Sequence, residues 1–243
     1  MLEKVNSDLT VGSIPNHFYR LAMPMAIGMV FYTLYNMVGI YFAGKLSTSA
    51  QAGIGIGHLV YFFLIAFGFG LNAAMAGLVG NFLGERKINE AKVLITRGII
   101  LAIVISIILI VFGVVSGPLV INLVSEVGPY REYSVRYFLI LLSALPAFLI
   151  SYTCNGALQA QGDSVSMQRA LVGAFFLITI ITPILIFGVP NLWLGIGFDG
   201  ISLSVVICQN LVMVFLLIQV KRSALGLHLI SKVSLKNFQG YYE

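Results

Sequence analysis

Neutral polar residues sit inside the long apolar runs of this chain: Asn36, Asn72, Asn155, Thr179, Thr182, Gln209 and Asn210. Their oxygens can accept hydrogen bonds or ligate a desolvated cation, but none of them can carry a proton at ordinary pH. An amide buried in an apolar medium costs kilocalories unless it finds a partner. Two readings follow and both stay open: the residues bond one another across helices, or several of them line one cavity. Tyr32 and Tyr35, next to Asn36, add aromatic surface suited to a flat or cationic ligand. Asp199 is the one acid placed to enter an apolar run, near its outer mouth, whereas Glu3, Asp8, Glu85, Glu90, Glu126, Glu132, Asp163 and Glu243 fall in tails, loops or segment ends.

Other chemistry finds no support. His17, His58 and His228 are far apart and lack metal-ligand spacing; only His58 enters an apolar run. No H-E-x-x-H pattern for zinc is present, and no serine stands beside a base that would activate it. Cys154 and Cys208 both lie in apolar segments and read as buried free thiols, packed as small hydrophobes. GIGIG at 53–57 follows no strand, so it is not a dinucleotide fingerprint. The chain reads as neither an enzyme nor a cofactor protein.

The elements that carry these residues are set by composition. Of 243 residues 59% are hydrophobic and 9% charged, and the mean hydropathy is +0.98. A soluble chain carries about 25% charge, so the solvent for this surface is lipid. A spanning helix needs about 20 mainly apolar residues. The apolar runs predict an all-α polytopic membrane protein with six spans at 21–44, 52–83, 93–116, 132–156, 170–190 and 199–220. The second is longer than one crossing needs and must tilt or protrude. The runs are continuous rather than alternating, which disfavours a β-barrel. The polar start shows no cleavable signal pattern, so the first run reads as a retained helix.

Basic residues orient the spans. With the N-terminus cytoplasmic, the inner segments hold Lys4, Arg20, Arg86, Lys87, Lys92, Arg97, Arg169, Lys221, Arg222, Lys232 and Lys236, against Lys45, Arg131 and Arg136 outside. That is the positive-inside bias of a plasma-membrane protein with both termini cytoplasmic. The net charge of +5 is therefore topology. It forms no basic patch interleaved with aromatics, so nucleic acid is excluded as a partner, while Arg97, Lys221 and Arg222 face anionic membrane lipids.

Pro24, Pro146 and Pro183 each remove a helical hydrogen bond and are candidate bends. The glycines from Gly53 to Gly84 read as a face where helix backbones approach. The stretch 82–92 reads as a tight inner turn with Asn89 as a helix cap. The stretch 116–133 reads as the longest outer connection, partly on the membrane interface.

Three stretches carry a family resemblance. LAMPMAIGMVFYTLYNMVGIYFAGKLS at 21–47 resembles the first helix of the multidrug and toxic compound extrusion (MATE) transporters. GLVGNFLGERKINEAK at 77–92 is similar to their helix-two exit and basic loop. GALQAQGDS at 156–164 with TPILIFG at 182–188 is similar to their Q-G-D loop and fifth helix. The resemblance implies twelve helices in two six-helix lobes that export organic cations against inward Na⁺ or H⁺. This chain would supply the N-terminal lobe, with residues 1–20 as a cytoplasmic segment, 21–220 as the lobe and 221–243 as the start of the interlobe linker. A C-terminal six-helix lobe or a second copy would complete the transport cavity.

At two positions where the family carries an acid, this chain has Gly39 and Thr182, and a family asparagine is replaced by Ile178. Asn155 keeps a polar position of the family's cation site. The resemblance thus implies Na⁺ or H⁺ as a coupling ion while this lobe lacks the usual carboxylates. The expected function is secondary active efflux of small organic cations in a bacterial or archaeal cell membrane. A lipid-linked or polysaccharide exporter and a non-transporting lobe are the alternatives.

Overall fold

A computed structural model describes residues 14–189, 193–223 and 225–226. They form seven helices and one short hairpin: α1 (Ile14–Leu46), α2 (Thr48–Gly84), α3 (Ile88–Val124), α4 (Pro129–Leu142), α5 (Leu145–Ala160), α6 (Ser166–Phe187), β1 (Gly188–Val189), β2 (Trp193–Leu194) and α7 (Asp199–Arg222). Five helices are long and apolar enough to cross a membrane, and α4 with α5 makes a sixth span bent by 53°. The protein is a multi-pass all-α membrane protein. The interlobe linker expected at 221–243 lies beyond Gly226 for the most part, outside the described residues, as does the segment before Ile14.

The spans differ from the sequence expectation in instructive ways. The third runs from Ile88 to Val124, straight through Pro118, so the long outer connection expected at 116–133 shrinks to residues 125–128. Residues 119–124 remain apolar, and in lipid a backbone must satisfy its own hydrogen bonds, which one missing N–H does not outweigh. At about 1.5 Å per residue, α2 and α3 are each about 55 Å long, well beyond a hydrocarbon core of about 30 Å. Asn89 is not a cap, because α3 starts at Ile88 and Asn89 lies within its first turn.

The fourth span breaks at Ser143 and Ala144, whose amides donate to Ile140 and Leu141, three residues back. Pro146 stands in the first turn of α5, where its missing N–H costs nothing. The bend expected at Pro146 is thus a true break. Pro183 instead lies inside an unbroken α6.

Short connections make successive spans antiparallel. Ser47 alone joins α1 to α2, its Oγ accepting from the Ala50 amide at 3.0 Å. The α5–α6 turn needs Gly162 at φ +82°, a backbone angle that strains other residues. Asp163 then takes over as cap, its Oδ1 accepting from the amides of Val165 (3.0 Å) and Ser166 (2.9 Å). After α6 the hairpin folds back, and the amides of Ile196 and Gly197 donate to Leu185 O and Ile186 O. One end of the bundle therefore holds Arg86, Lys87, Arg169, Lys221 and Arg222. The other holds Lys45, Arg131 and Arg136, together with the Arg136–Asp199 ion pair at 2.5 Å.

α5 is the central element, buried almost throughout and packed on α2, α3 and α7. α3 is the reverse: Ile107, Ile108, Val111, Phe112 and Val115 are all more than half exposed. Such a face is stable only in hydrocarbon. The glycines of α2 divide into two sets. Gly53 and Gly57 lie against the backbone of α4, whereas Gly55, Gly70, Gly77, Gly80 and Gly84 have nothing within 4 Å. The expected packing face is thus real at Gly53 and Gly57 and again at Gly68, which meets Tyr152 and Phe148 of α5, and absent at the other five glycines. Cys154 and Cys208 are free and buried.

Candidate functional site

Helical spacing brings one set of side chains to a common cavity. α1 contributes Tyr32, Tyr35, Asn36 and Gly39, and α2 contributes His58, Tyr61 and Ile65. Both sets follow the three-and-four spacing that keeps residues on one helix face. The broken span adds Tyr137, Leu141, Ala144, Phe148 and Tyr152, and α6 adds Met167, Leu171, Ala174 and Ile178. Val205, Gln209 and Val212 of α7 close the ring. The space among these side chains, open mouth included, is about 820 Å³. The cavity itself is about 50 Å³. Drug-sized ligands occupy about 300–1,000 Å³, so a guest of that size requires the walls to part.

The walls are aromatic and neutral. Phe148 and Tyr152 stack at 4.9 Å, and Phe69 packs edge-on to Tyr152 at 5.0 Å. Phe198 packs against Tyr137 and Tyr133. Among the described lining residues there is no Asp, Glu, Lys or Arg. The hydroxyls of Tyr35 and Tyr61 are buried without a hydrogen-bond partner. Buried polar atoms are normally paired, so these two call for water or a guest. Asn36 Nδ2 donates back to Tyr32 O at 2.8 Å. Gln209 Nε2 lies 3.4 Å from Ser151 Oγ.

Of the binding residues expected from the sequence, Tyr32, Tyr35, Asn36 and Gln209 meet in this cavity, and Gly39 and Ile178 line it too. The others lie elsewhere. Asn155 Nδ2 donates to Asn72 Oδ1 at 3.1 Å, tying α5 to α2, while Asn155 Oδ1 is buried without a partner. Thr182, wholly buried, donates to Ser204 Oγ at 2.9 Å and ties α6 to α7. Thr179 and Asn210 return their bonds to Phe175 O and Val206 O of their own helices. Asp199 pairs with Arg136 at the bundle end.

Asn155→Ala removes the α5–α2 amide bond and is expected to cost about 1 kcal/mol of stability, in line with interhelical polar bonds in lipid. Thermal unfolding in detergent checks it, and an unchanged unfolding temperature would mean the pair holds nothing.

Sequence reasoning missed Tyr61, Tyr137, Phe148 and Tyr152, and passed over His58 as lacking metal partners. The signal was present: His58 and Tyr61 are three apart, as are Tyr32 and Tyr35, with Asn36 four from Tyr32. Without the fold, nothing says that these faces meet. Among the described residues no group of three or more His, Cys, Asp or Glu could hold a metal ion.

Comparison with known proteins places this geometry. A model of the MatE family matches residues 24–185. The chain is 26% identical over 166 residues to the probable multidrug resistance protein NorM of Buchnera aphidicola subsp. Baizongia pistaciae, covering 66% of this chain and 36% of that protein. It is 22% identical over 204 residues to the probable multidrug resistance protein YoeA of Bacillus subtilis, covering 82% and 43%. Among solved structures, a MOP-superfamily transporter from Pyrococcus furiosus superposes with a TM-score of 0.77 at 22% identity, over 86% of this chain and 46% of that one. A MATE crystal structure in the bent conformation gives 0.79 at 22% identity, over 89% and 48%. The chain thus spans half or less of each of these proteins. Its fold is that of one six-helix lobe of a transporter rather than of an enzyme. With that fold and a family match running from residue 24 to residue 185, the chain belongs to the MatE family.

Proposed function

We propose that this chain forms the N-terminal half of a secondary active exporter that expels small organic cations by antiport against Na⁺ or H⁺. The observation that carries this reading is the cavity. It is lined by the aromatic side chains of Tyr32, Tyr35, Tyr61, Tyr137, Phe148 and Tyr152 with neutral polar groups among them, a composition suited to a desolvated organic cation through ring quadrupoles. The relatives named as multidrug resistance proteins support the same class. The break between α4 and α5 supplies an element that can flex as the cavity opens alternately to each side. The end rich in Arg and Lys is cytoplasmic in this reading, and the membrane is a bacterial or archaeal plasma membrane. A C-terminal six-helix lobe or a second copy faces the cavity and completes it.

Ethidium efflux from proteoliposomes holding the purified chain tests the proposal, with Na⁺ and pH gradients imposed separately. Circular dichroism and a mass measurement confirm folded protein. Gradient-driven efflux is expected where copies pair. Ethidium binding without efflux supports a half-exporter lacking its facing lobe. Folded protein that neither binds nor exports organic cations overturns the reading.

A further inference from the structure

We propose that His58 is the proton-bearing group of this lobe, and that its protonation and the binding of an organic cation in the cavity exclude one another. This deepens the antiport reading and rests on it.

Few titratable side chains line the cavity. α1 presents Tyr32 and Tyr35, α2 presents His58 and Tyr61, α4 presents Tyr137, and α5 presents Tyr152. The lining residues of α6 and α7 are all non-ionisable. Of the charged residues at the bundle end that carries Lys45 and Arg131, Glu132, Arg136 and Asp199 are engaged with one another, and none of the five lines the cavity. Histidine alone among these side chains ordinarily changes charge between about pH 5 and 8. His58 is partly buried and has no hydrogen-bond or ion-pair partner among the described residues. Its helical neighbour at i+3 is Tyr61, whose hydroxyl, like that of Tyr35, is buried and unpartnered. An imidazolium therefore meets no carboxylate here, only π-faces and phenol oxygens, and a guest cation competes for those same groups.

The exchange balances. His58 lies ten residues into α2 from Thr48, about 15 Å from the end carrying Lys45 and Arg136. In the proposed orientation that end is outside. With the cavity open outward, the imidazole takes one proton from external water and the like charge drives the organic cation out. With the cavity open inward, an arriving cation favours the neutral imidazole, which returns one proton to the cytoplasm. One monocation leaves for each proton that enters, so the cycle is electroneutral. For unit charges about 8 Å apart at an effective dielectric of about 20, the repulsion lowers affinity about 30-fold.

Ethidium, a permanent cation, is the probe, with the full chain in nanodiscs and affinity measured at steps between roughly pH 4.5 and pH 8. The expected result is an affinity loss of tenfold or more on acidification, with proton release on ethidium binding in weakly buffered solution near the midpoint. His58→Gln is expected to flatten the pH profile and abolish proton release, whatever its absolute affinity. His58→Arg, carrying a fixed charge, is expected to hold affinity low across the range. A flat profile in the unaltered protein, or a pH profile and proton release that persist in folded His58→Gln, overturns the assignment and leaves the exporter reading standing. No ethidium binding at any pH overturns the exporter reading, and the His58 assignment with it.

Discussion

Gly156→Leu is expected to abolish the native lobe. Gly156 lies where α5 crosses α2, and a Cβ there would run into the main-chain oxygen of Asn72. It would also meet Met75 Cβ at 3.0 Å and the amide nitrogen of Ala76 at 3.1 Å. Two of these three atoms belong to the backbone of α2 and cannot rotate aside. α5 in turn is buried against α2, α3 and α7 and cannot retreat. Overpacking ordinarily costs about 1–3 kcal/mol, and more where no side chain can give way. The same displacement parts Asn155 from Asn72. A clash with main chain that cannot move exceeds that ordinary range, and against a total stability of about 5–15 kcal/mol it is expected to remove the margin that keeps unfolding cooperative. Thermal unfolding and gel filtration in detergent provide the readout. Gly70→Ala, at a site with nothing within 4 Å, is the control and should unfold at or slightly above the unaltered protein's temperature. A native transition in Gly156→Leu would mean that the α2–α5 crossing is far looser than its geometry.

Gly39→Asp is expected to raise ethidium affinity about tenfold or more at neutral pH. Gly39 lines the cavity, and a Cβ there meets only the Ile201 Cγ2 methyl, at 3.3 Å, which can give by a few tenths of an ångström. The hydroxyls of Tyr35 and Tyr61, two lining residues of the same cavity, have no partner. Opposite unit charges about 5 Å apart attract by about 3 kcal/mol at an effective dielectric of about 20, and desolvation of the carboxylate returns part of that. The sign with pH follows: the gain requires the ionised carboxylate, so it is present at neutral pH and fades as pH falls through the carboxylate's titration. Gly39→Asn has the same shape without the charge and is expected to gain little. Folded Gly39→Asp with unaltered affinity would mean that the cavity does not receive the cation.

Much of this protein was legible before folding because lipid is a severe solvent. A chain with so few charges must satisfy its backbone internally, which leaves helices of spanning length, and the Arg and Lys bias then separates the two ends. The number of spans followed from those rules; of the bends expected at prolines, the one at Pro146 is a break, whereas α6 runs unbroken through Pro183. Helix ends followed less well. The third span, expected to end at 116, runs through Pro118 and stays helical to Val124 because the residues after it remain apolar.

The site divides in the same way. Polarity alone marks Asn36, Asn72, Asn155, Thr182 and Gln209 as special, because an amide or hydroxyl in hydrocarbon must be answered. It does not say by what. That is a question of facing, decided by how each helix is rotated about its axis. The rotation of α5 turns Asn155 toward Asn72, and that of α6 turns Thr182 toward Ser204, so both become ties between helices. The rotations of α1 and α2 turn Tyr35, Tyr61 and His58 inward to a shared space. Sequence by itself determined the solvent, the helical character of the spans and their antiparallel order. Tertiary structure alone decided which polar groups are spent on one another and which stay open to a guest. Backbone hydrogen bonding and hydropathy act along the chain and are readable there. The mutual rotation of helices is set by packing between residues as distant as Asn72 and Asn155, which no local pattern encodes.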